Sequence, residues 1–224
     1  MMKYSVVLLV LITLAIGLLL LSPDNEQAEE PLTGLPWQID SLPDGSSRVF
    51  GITPGQSTLG DVVEQLGNDM QLAIIAAPGE SGNLEMYYSR YSASIITGKL
   101  IFVAKMADDT LLQLQERAFR DGGTRRYRLH PDDLPLAWQA PVKSIIFLPS
   151  VNLDEEIARN RFGIPTETIH SSEQVTHLLY PDKGLDFVLD QDGKEVLRYV
   201  APREFSTLRN QLSPIKGLDT PLPH

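Results

Sequence analysis

The chain has 224 residues, 42% hydrophobic and 21% charged, long enough to bury a core in one large or two small domains. Glycine and proline number 16 each, which excludes a collagen-like or low-complexity chain, and the absence of cysteine excludes disulfides, a thiolate nucleophile and a Cys-ligated metal. With 19 Lys+Arg against 29 Asp+Glu the net charge is −10, a balance that repels phosphate backbones, so no nucleic-acid partner is expected.

Residues Tyr4 to Leu21 carry no charge. As a helix they would span ~27 Å, close to the hydrocarbon thickness of a bilayer. Lys3 precedes the run, and Asp24, Glu26, Glu29 and Glu30 follow it, which favours a cytoplasmic amino terminus and an exported body. Residues 1–22 therefore read as a transmembrane anchor or a signal segment. The best cleavage site, Ala15-Ile16-Gly17, would leave Leu18–Leu21 on the mature end, so an uncleaved anchor is preferred. The expected location is the inner membrane, single-pass, with the body in the periplasm. A cleaved, soluble periplasmic protein is the alternative.

Residues 23–36 are polar, acidic and rich in proline, and read as a linker. Pro43-Asp44-Gly45 predicts a turn between the extended pieces Trp37–Leu42 and Ser47–Ile52. Ser57 or Thr58 caps a helix with Leu59, Val62, Val63 and Leu66 on one side, and Gly67 ends it. Strands are predicted at Gln71–Ala77, Leu84–Tyr91 and Lys99–Lys105, then a helix from Asp108 with Arg117 and Arg120 in its last turn, stopped by Gly122-Gly123. A strand at Arg125–Leu129, a short helix at Pro131–Gln139 and a strand at Val142–Leu148 follow. Asn152 with Glu155 suggests the opening of a helix running to Phe162 and stopped by Gly163. Strands at Glu167–His170, Thr176–Tyr180, Leu185–Leu189 and Glu195–Val200 come next, the last two joined by a turn at Asp190–Gly193. Pro202 opens a final helix with Phe205, Leu208 and Leu212, and residues 213–224 read as a disordered tail.

The order repeats: a helix ending in Gly67 or Gly163, then antiparallel strands, with Met86-Tyr87-Tyr88 and Leu178-Leu179-Tyr180 at similar intervals after the glycine. The expected fold class is α+β, an N-terminal membrane helix followed by two tandem helix-plus-antiparallel-sheet units, 37–141 and 142–212.

The stretch from Gly51-Ile52-Thr53-Pro54-Gly55 through Thr58-Leu59 to Leu66-Gly67 resembles the helix opening of the SmpA/OmlA (BamE-type) lipoproteins. Phe162-Gly163-Ile164-Pro165, the strand Thr176–Tyr180, and Leu185 through Asp190-Gln191-Asp192-Gly193-Lys194 to Val196 are similar to that family's later corner, tyrosine strand and hairpin. The same unit occurs in tandem in β-lactamase-inhibitor-protein-like domains. The family's lipidated cysteine is missing and the apolar span stands in its place; Asn68-Asp69 stand where the second corner has Ile164-Pro165. The resemblance implies a small α+β adaptor without catalytic activity that binds other envelope proteins. It carries over no binding residue.

The histidines are His130, His170, His177 and His224, and none has the spacing of a helical metal pair, so no metal or cofactor is expected. His130-Pro131-Asp132-Asp133 places a histidine beside two carboxylates. A helix start explains it, with Pro131 at the first position and the acids in the first turn. A hydrolase using His130 with Asp132 or Asp133 is the enzymatic alternative, although no nucleophile stands beside them. Gly79-Glu80-Ser81-Gly82 lacks the spacing of a nucleophile elbow and reads as a hairpin loop.

Two patches suit a protein partner. Alternation in Leu84–Tyr91 places Leu84, Met86 and Tyr88 on one face and Tyr87 and Tyr91 on the other, as aromatic anchors. Arg125-Arg126-Tyr127-Arg128 is the densest basic run, with Arg125, Arg126 and Arg128 suited to an acidic partner or a lipid headgroup. The functional expectation is non-covalent recognition of an envelope protein, with no catalytic residue; a soluble periplasmic inhibitor is a further alternative.

Overall fold

The computed structural model describes residues 33–76, 82–93, 95–120 and 125–212. The predicted span Tyr4–Leu21, the loop residues 79–81, Gly122-Gly123, the tail 213–224 and most of the linker lie outside the described residues. Among the described residues no helix is long and apolar enough to cross a membrane.

A small hairpin comes first, β1 (Asp40–Ser41) and β2 (Ser47–Arg48), closed by the predicted turn. The Asp44 carboxylate accepts from the Ser46 hydroxyl at 2.6 Å, the Ser46 amide at 3.0 Å and the Gln56 amide at 2.7 Å. These bonds, the Ser46 hydroxyl foremost, hold its pKa at about 2. Helix α1 (Leu59–Leu66) opens on a capping box: Thr58 accepts from the Asp61 amide, and the Asp61 side chain accepts from the Thr58 amide. It stops at Gly67, whose φ of 85° a side chain would resist.

Strands β3 (Gln71–Ile75), β4 (Asn83–Ala93) and β5 (Ile96–Ala104) form a meander. Helix α2 (Asp108–Arg117) ends one turn earlier than predicted, because Ala118 turns extended and leads into β6 (Phe119–Arg120), a strand the sequence did not announce. Then come β7 (Arg126–Arg128), a 3-10 turn at Pro131–Asp133 running into α3 (Leu134–Trp138), and β8 (Val142–Pro149). Helix α4 (Glu155–Phe162) is capped by Asp154, which accepts from the Ile157 amide at 2.8 Å, two residues later than the predicted Asn152. The last elements are β9 (Glu167–His170), β10 (Val175–Tyr180), β11 (Leu185–Asp190), β12 (Val196–Val200) and α5 (Phe205–Asn210).

The expected α+β fold of two tandem units is corrected. The described residues are mostly β: ten strands form one antiparallel sheet in the order β6-β7-β3-β4-β5-β8-β12-β11-β10-β9, and the helices among those residues are few and short. The seam lies at β8, which pairs with β5 from Gly98↔Pro149 to Ala104↔Val142 and with β12 from Leu197↔Phe147 to Val200↔Ser144. Each ladder satisfies the backbone groups that a unit boundary would leave as open edges, so the strands close into a single sheet.

One face of this sheet carries the core. Met86, Leu100, Phe102, Ile145, Phe147 and Phe187 are fully buried there, under Leu59 and Val62 of α1, Leu111 and Leu114 of α2, Ala137 of α3, and Ala158 and Phe162 of α4. Each such large side chain stabilises the fold by about 1.5–3 kcal/mol. Two tyrosines of this face close helix ends in the same manner. The Tyr88 hydroxyl donates to the Gly67 carbonyl at 2.8 Å, and the Tyr180 hydroxyl to the Gly163 carbonyl at 3.1 Å. Residues 33–36, the end of the expected linker, are tied to the sheet: Leu35 is buried, Tyr91 donates to the Gly34 carbonyl at 2.7 Å and Tyr199 to the Pro36 carbonyl at 2.8 Å.

The other face has a different cover. Phe205 and Leu208 of α5 pack on Ile169, Leu179 and Val200, over its β9 side. Farther from β9, Tyr87, Ile101 and Ile146 on this face are only half buried.

Candidate functional site

The open face follows from strand register. Side chains alternate between faces, and residues directly opposite one another share a face. Gln71, Tyr87, Ile101, Ile146, Arg198 and Asp186 are successive cross-strand partners through β3, β4, β5, β8, β12 and β11. The row begins polar, passes through three half-buried apolar side chains and ends on a charge. Ile75, 36% exposed, and Leu148 extend the apolar area on either side.

Register brings together two residues that are distant in sequence. Ile75 stands opposite Arg126, so Arg126 shares the face of Gln71 and Tyr87, and its guanidinium donates to Gln71 Oε1 at 2.9 Å. Arg128 occupies the same face two residues on, its guanidinium 5.5 Å above the ring of Phe119, the residue opposite it on β6. Arg125 is exposed just before the strand. Tyr91 does not join them. The pairing of β4 with β5 shifts between Tyr88 and Tyr91, and this bulge turns Tyr91 to the core face. There its ring packs edge-on against Phe50 at 5.2 Å and Phe147 at 6.2 Å.

Where the open face meets α5 the two enclose a cleft of 520 Å³. Its floor is apolar, formed by Val103, Ile146, Val200 and Leu208; its walls carry Lys105, Lys143, Arg198, Glu85 and Glu204. Lys105 and Glu204 form an ion pair at 2.7 Å. Burial pushes the Glu85 carboxyl above the usual carboxylate range. Lys143 and Arg198 make no ion pair with any described residue. Sequence reasoning missed this cleft. Its residues come from four strands, from α5 and from the turn before it, which only register and the return of α5 bring into contact.

The predicted enzymatic alternative finds no catalytic geometry at His130. Its Nδ1 accepts from the Asp132 amide at 3.3 Å as a helix cap, and its ring stacks on Phe119 at 5.8 Å. Asp133 is buried against Arg117 at 2.8 Å. No hydroxyl bonds to His130 among the described residues.

A Ser-His-Asp array does occur elsewhere, unannounced by sequence spacing. His177 Nδ1 lies 2.9 Å from Asp186 Oδ1, and Ser171 Oγ lies 3.1 Å from His177 Nε2. A carboxylate only accepts, so neutral His177 carries its proton on Nδ1 and accepts from Ser171 at Nε2. These are the distances of a nucleophilic triad, but the surroundings differ. His177 is 6% exposed and Asp186 fully buried. Oxyanion stabilisation needs free backbone amides beside the nucleophile. Here the Ser171 and Ser172 amides donate to the Val175 carbonyl, and the Gln174 and Val175 amides donate to Ser172 Oγ. The array clamps the β9–β10 turn to β11, with one Asp186 oxygen bonded to His177 and the other, Oδ2, buried without a hydrogen-bond partner among the described residues.

No group of three or more His, Asp or Glu residues among those described is arranged to hold a metal ion. No protein-family model, no curated protein and no solved structure matches the chain.

Proposed function

We propose that this protein is a recognition module, held at the inner membrane by residues 4–21, that binds an envelope protein through the open face of its sheet without catalysing a reaction. One observation carries the reading: Tyr87, Ile101 and Ile146 form a contiguous, half-buried apolar row on one face of the sheet, with Arg126 beside it. A half-buried aromatic and aliphatic centre with a cationic rim is the anatomy of a protein–protein contact. The amino-terminal apolar run and its single preceding lysine support the tether.

The test is site-specific photo-crosslinking of the full chain in intact cells. A crosslinker at Ile101 or Tyr87 should yield a defined adduct. One at Leu112 of α2 or at Ile164, both exposed away from this face, should not. Equal adduct patterns from the two sets, or none from Ile101 and Tyr87, would sink the reading.

A further inference from the structure

We infer that the cleft between the open face and α5 receives an acidic side chain of the partner, flanked in its sequence by apolar residues. This rests on the recognition reading above and names the partner's chemistry. The cleft is continuous with the apolar row, because Ile146 belongs to both. Its floor, with Val103, Val200 and Leu208 each under a tenth exposed, is dry enough to strengthen a charge contact at its wall.

The charges in the cleft select the sign. Lys105 and Glu204 neutralise each other at 2.7 Å. Of the remainder, Lys143 and Arg198 are cations with no ion pair among the described residues, in a chain whose net charge is −10. Arg198 has a carboxylate directly across the ladder, Asp186, yet makes no ion pair with it; Asp186 is fully buried and bonds to His177 through Oδ1. The guanidinium lines the cleft instead. A planar fork of donors beside an ammonium suits a carboxylate. Glu85 is the opposing group. It faces the same space and is desolvated, so its charge is disfavoured there and works against an incoming acid.

Random-heptapeptide display against the immobilised full-length chain tests this. The enriched peptides should carry Asp or Glu beside Leu, Ile, Val or Phe. They should bind the Lys143→Gln/Arg198→Gln double variant at least tenfold more weakly, and the Glu85→Gln variant severalfold more tightly. Circular dichroism must show both variants folded. Enrichment of basic or acid-poor peptides, enrichment no greater than on bare support, or equal binding to wild type and double variant would each overturn the inference. Crosslinking at Ile101 in the double variant separates the two proposals. Adducts that persist unchanged defeat the acidic-residue inference alone, whereas absence of Ile101 adducts in the wild type defeats the recognition reading itself.

Discussion

Phe50 shows how a single residue is held against its own preference. Its φ is +55°, in the left-handed region that a bulky side chain avoids, and Gly51 follows at +79°. Val49 and Ile52 exchange both backbone bonds around this pair, which makes the tight turn. The compensation is the ring, 3% exposed and surrounded by Tyr91, Phe147 and Tyr199 at centroid distances of 5.2, 5.5 and 5.7 Å. Phe50→Ala should lower stability by about 3–5 kcal/mol in denaturant titration, the range for emptying an aromatic site in a core. Gly98 is a second such position. A Cβ there would stand 2.5 Å from the Leu148 carbonyl oxygen and would overlap the Phe147 ring. Gly98→Ala should therefore destabilise at the β5–β8 seam by about 1–3 kcal/mol, as overpacking does.

At the scale of elements, tyrosine hydroxyls hold helix ends and the segment before β1. Burial raises Tyr88 and Tyr91 from 10.0 to about 12. A raised pKa means that the neutral form is the one stabilised by folding. The contribution is complete below pH 10 and disappears as pH rises from 10 towards 12. An alkaline transition in that window is expected; Tyr88→Phe, which has no hydroxyl to ionise, should make it shallower while costing about 0.5–1.5 kcal/mol at neutral pH for the lost bond. The β9–β10 turn offers a sharper test. With its amides already donated, Ser171 should form no adduct with a fluorophosphonate probe by mass spectrometry. His177→Ala, which strips the buried Asp186 carboxylate of its donor, should lower the unfolding midpoint by the equivalent of about 1–3 kcal/mol or more. A cap at Ser57 or Thr58 and the stop at Gly67 are legible from residues 57–67 because caps and stops are local, whereas the reciprocal Asp61 bond that singles out Thr58 is seen only in the structure. The Asp154 cap was read two residues early because Asn152 and Asp154 are both good caps and only the path of the chain after β8 selects between them.

Across the whole molecule, the sheet ties the body into one cooperative structure while α5 is held at its margin. Arg209 reaches from α5 to Glu167 on β9 with bonds of 2.9 and 2.6 Å, and these lower the Glu167 carboxyl below its ordinary 4.5. A lowered carboxylate contributes above its unfolded value and ceases to contribute as pH falls through its folded value. Acid should therefore loosen α5 before the sheet, seen as faster amide exchange in residues 205–210 than in β5 and β8 at pH below 4.5. Both partners are substantially exposed, so the effect is small and salt-sensitive. The amino-acid sequence by itself determined the order and type of nearly every element, because helix caps, glycine stops, turns and the period of apolar residues act within a few positions. Tertiary structure alone decided that β8 joins β5 to β12 in one sheet, that a bulge turns Tyr91 away from Tyr87, and that Arg126 reaches Tyr87's face. Strand neighbours and register depend on hydrogen bonds between residues far apart in sequence, and a period of two is the same whichever face is buried.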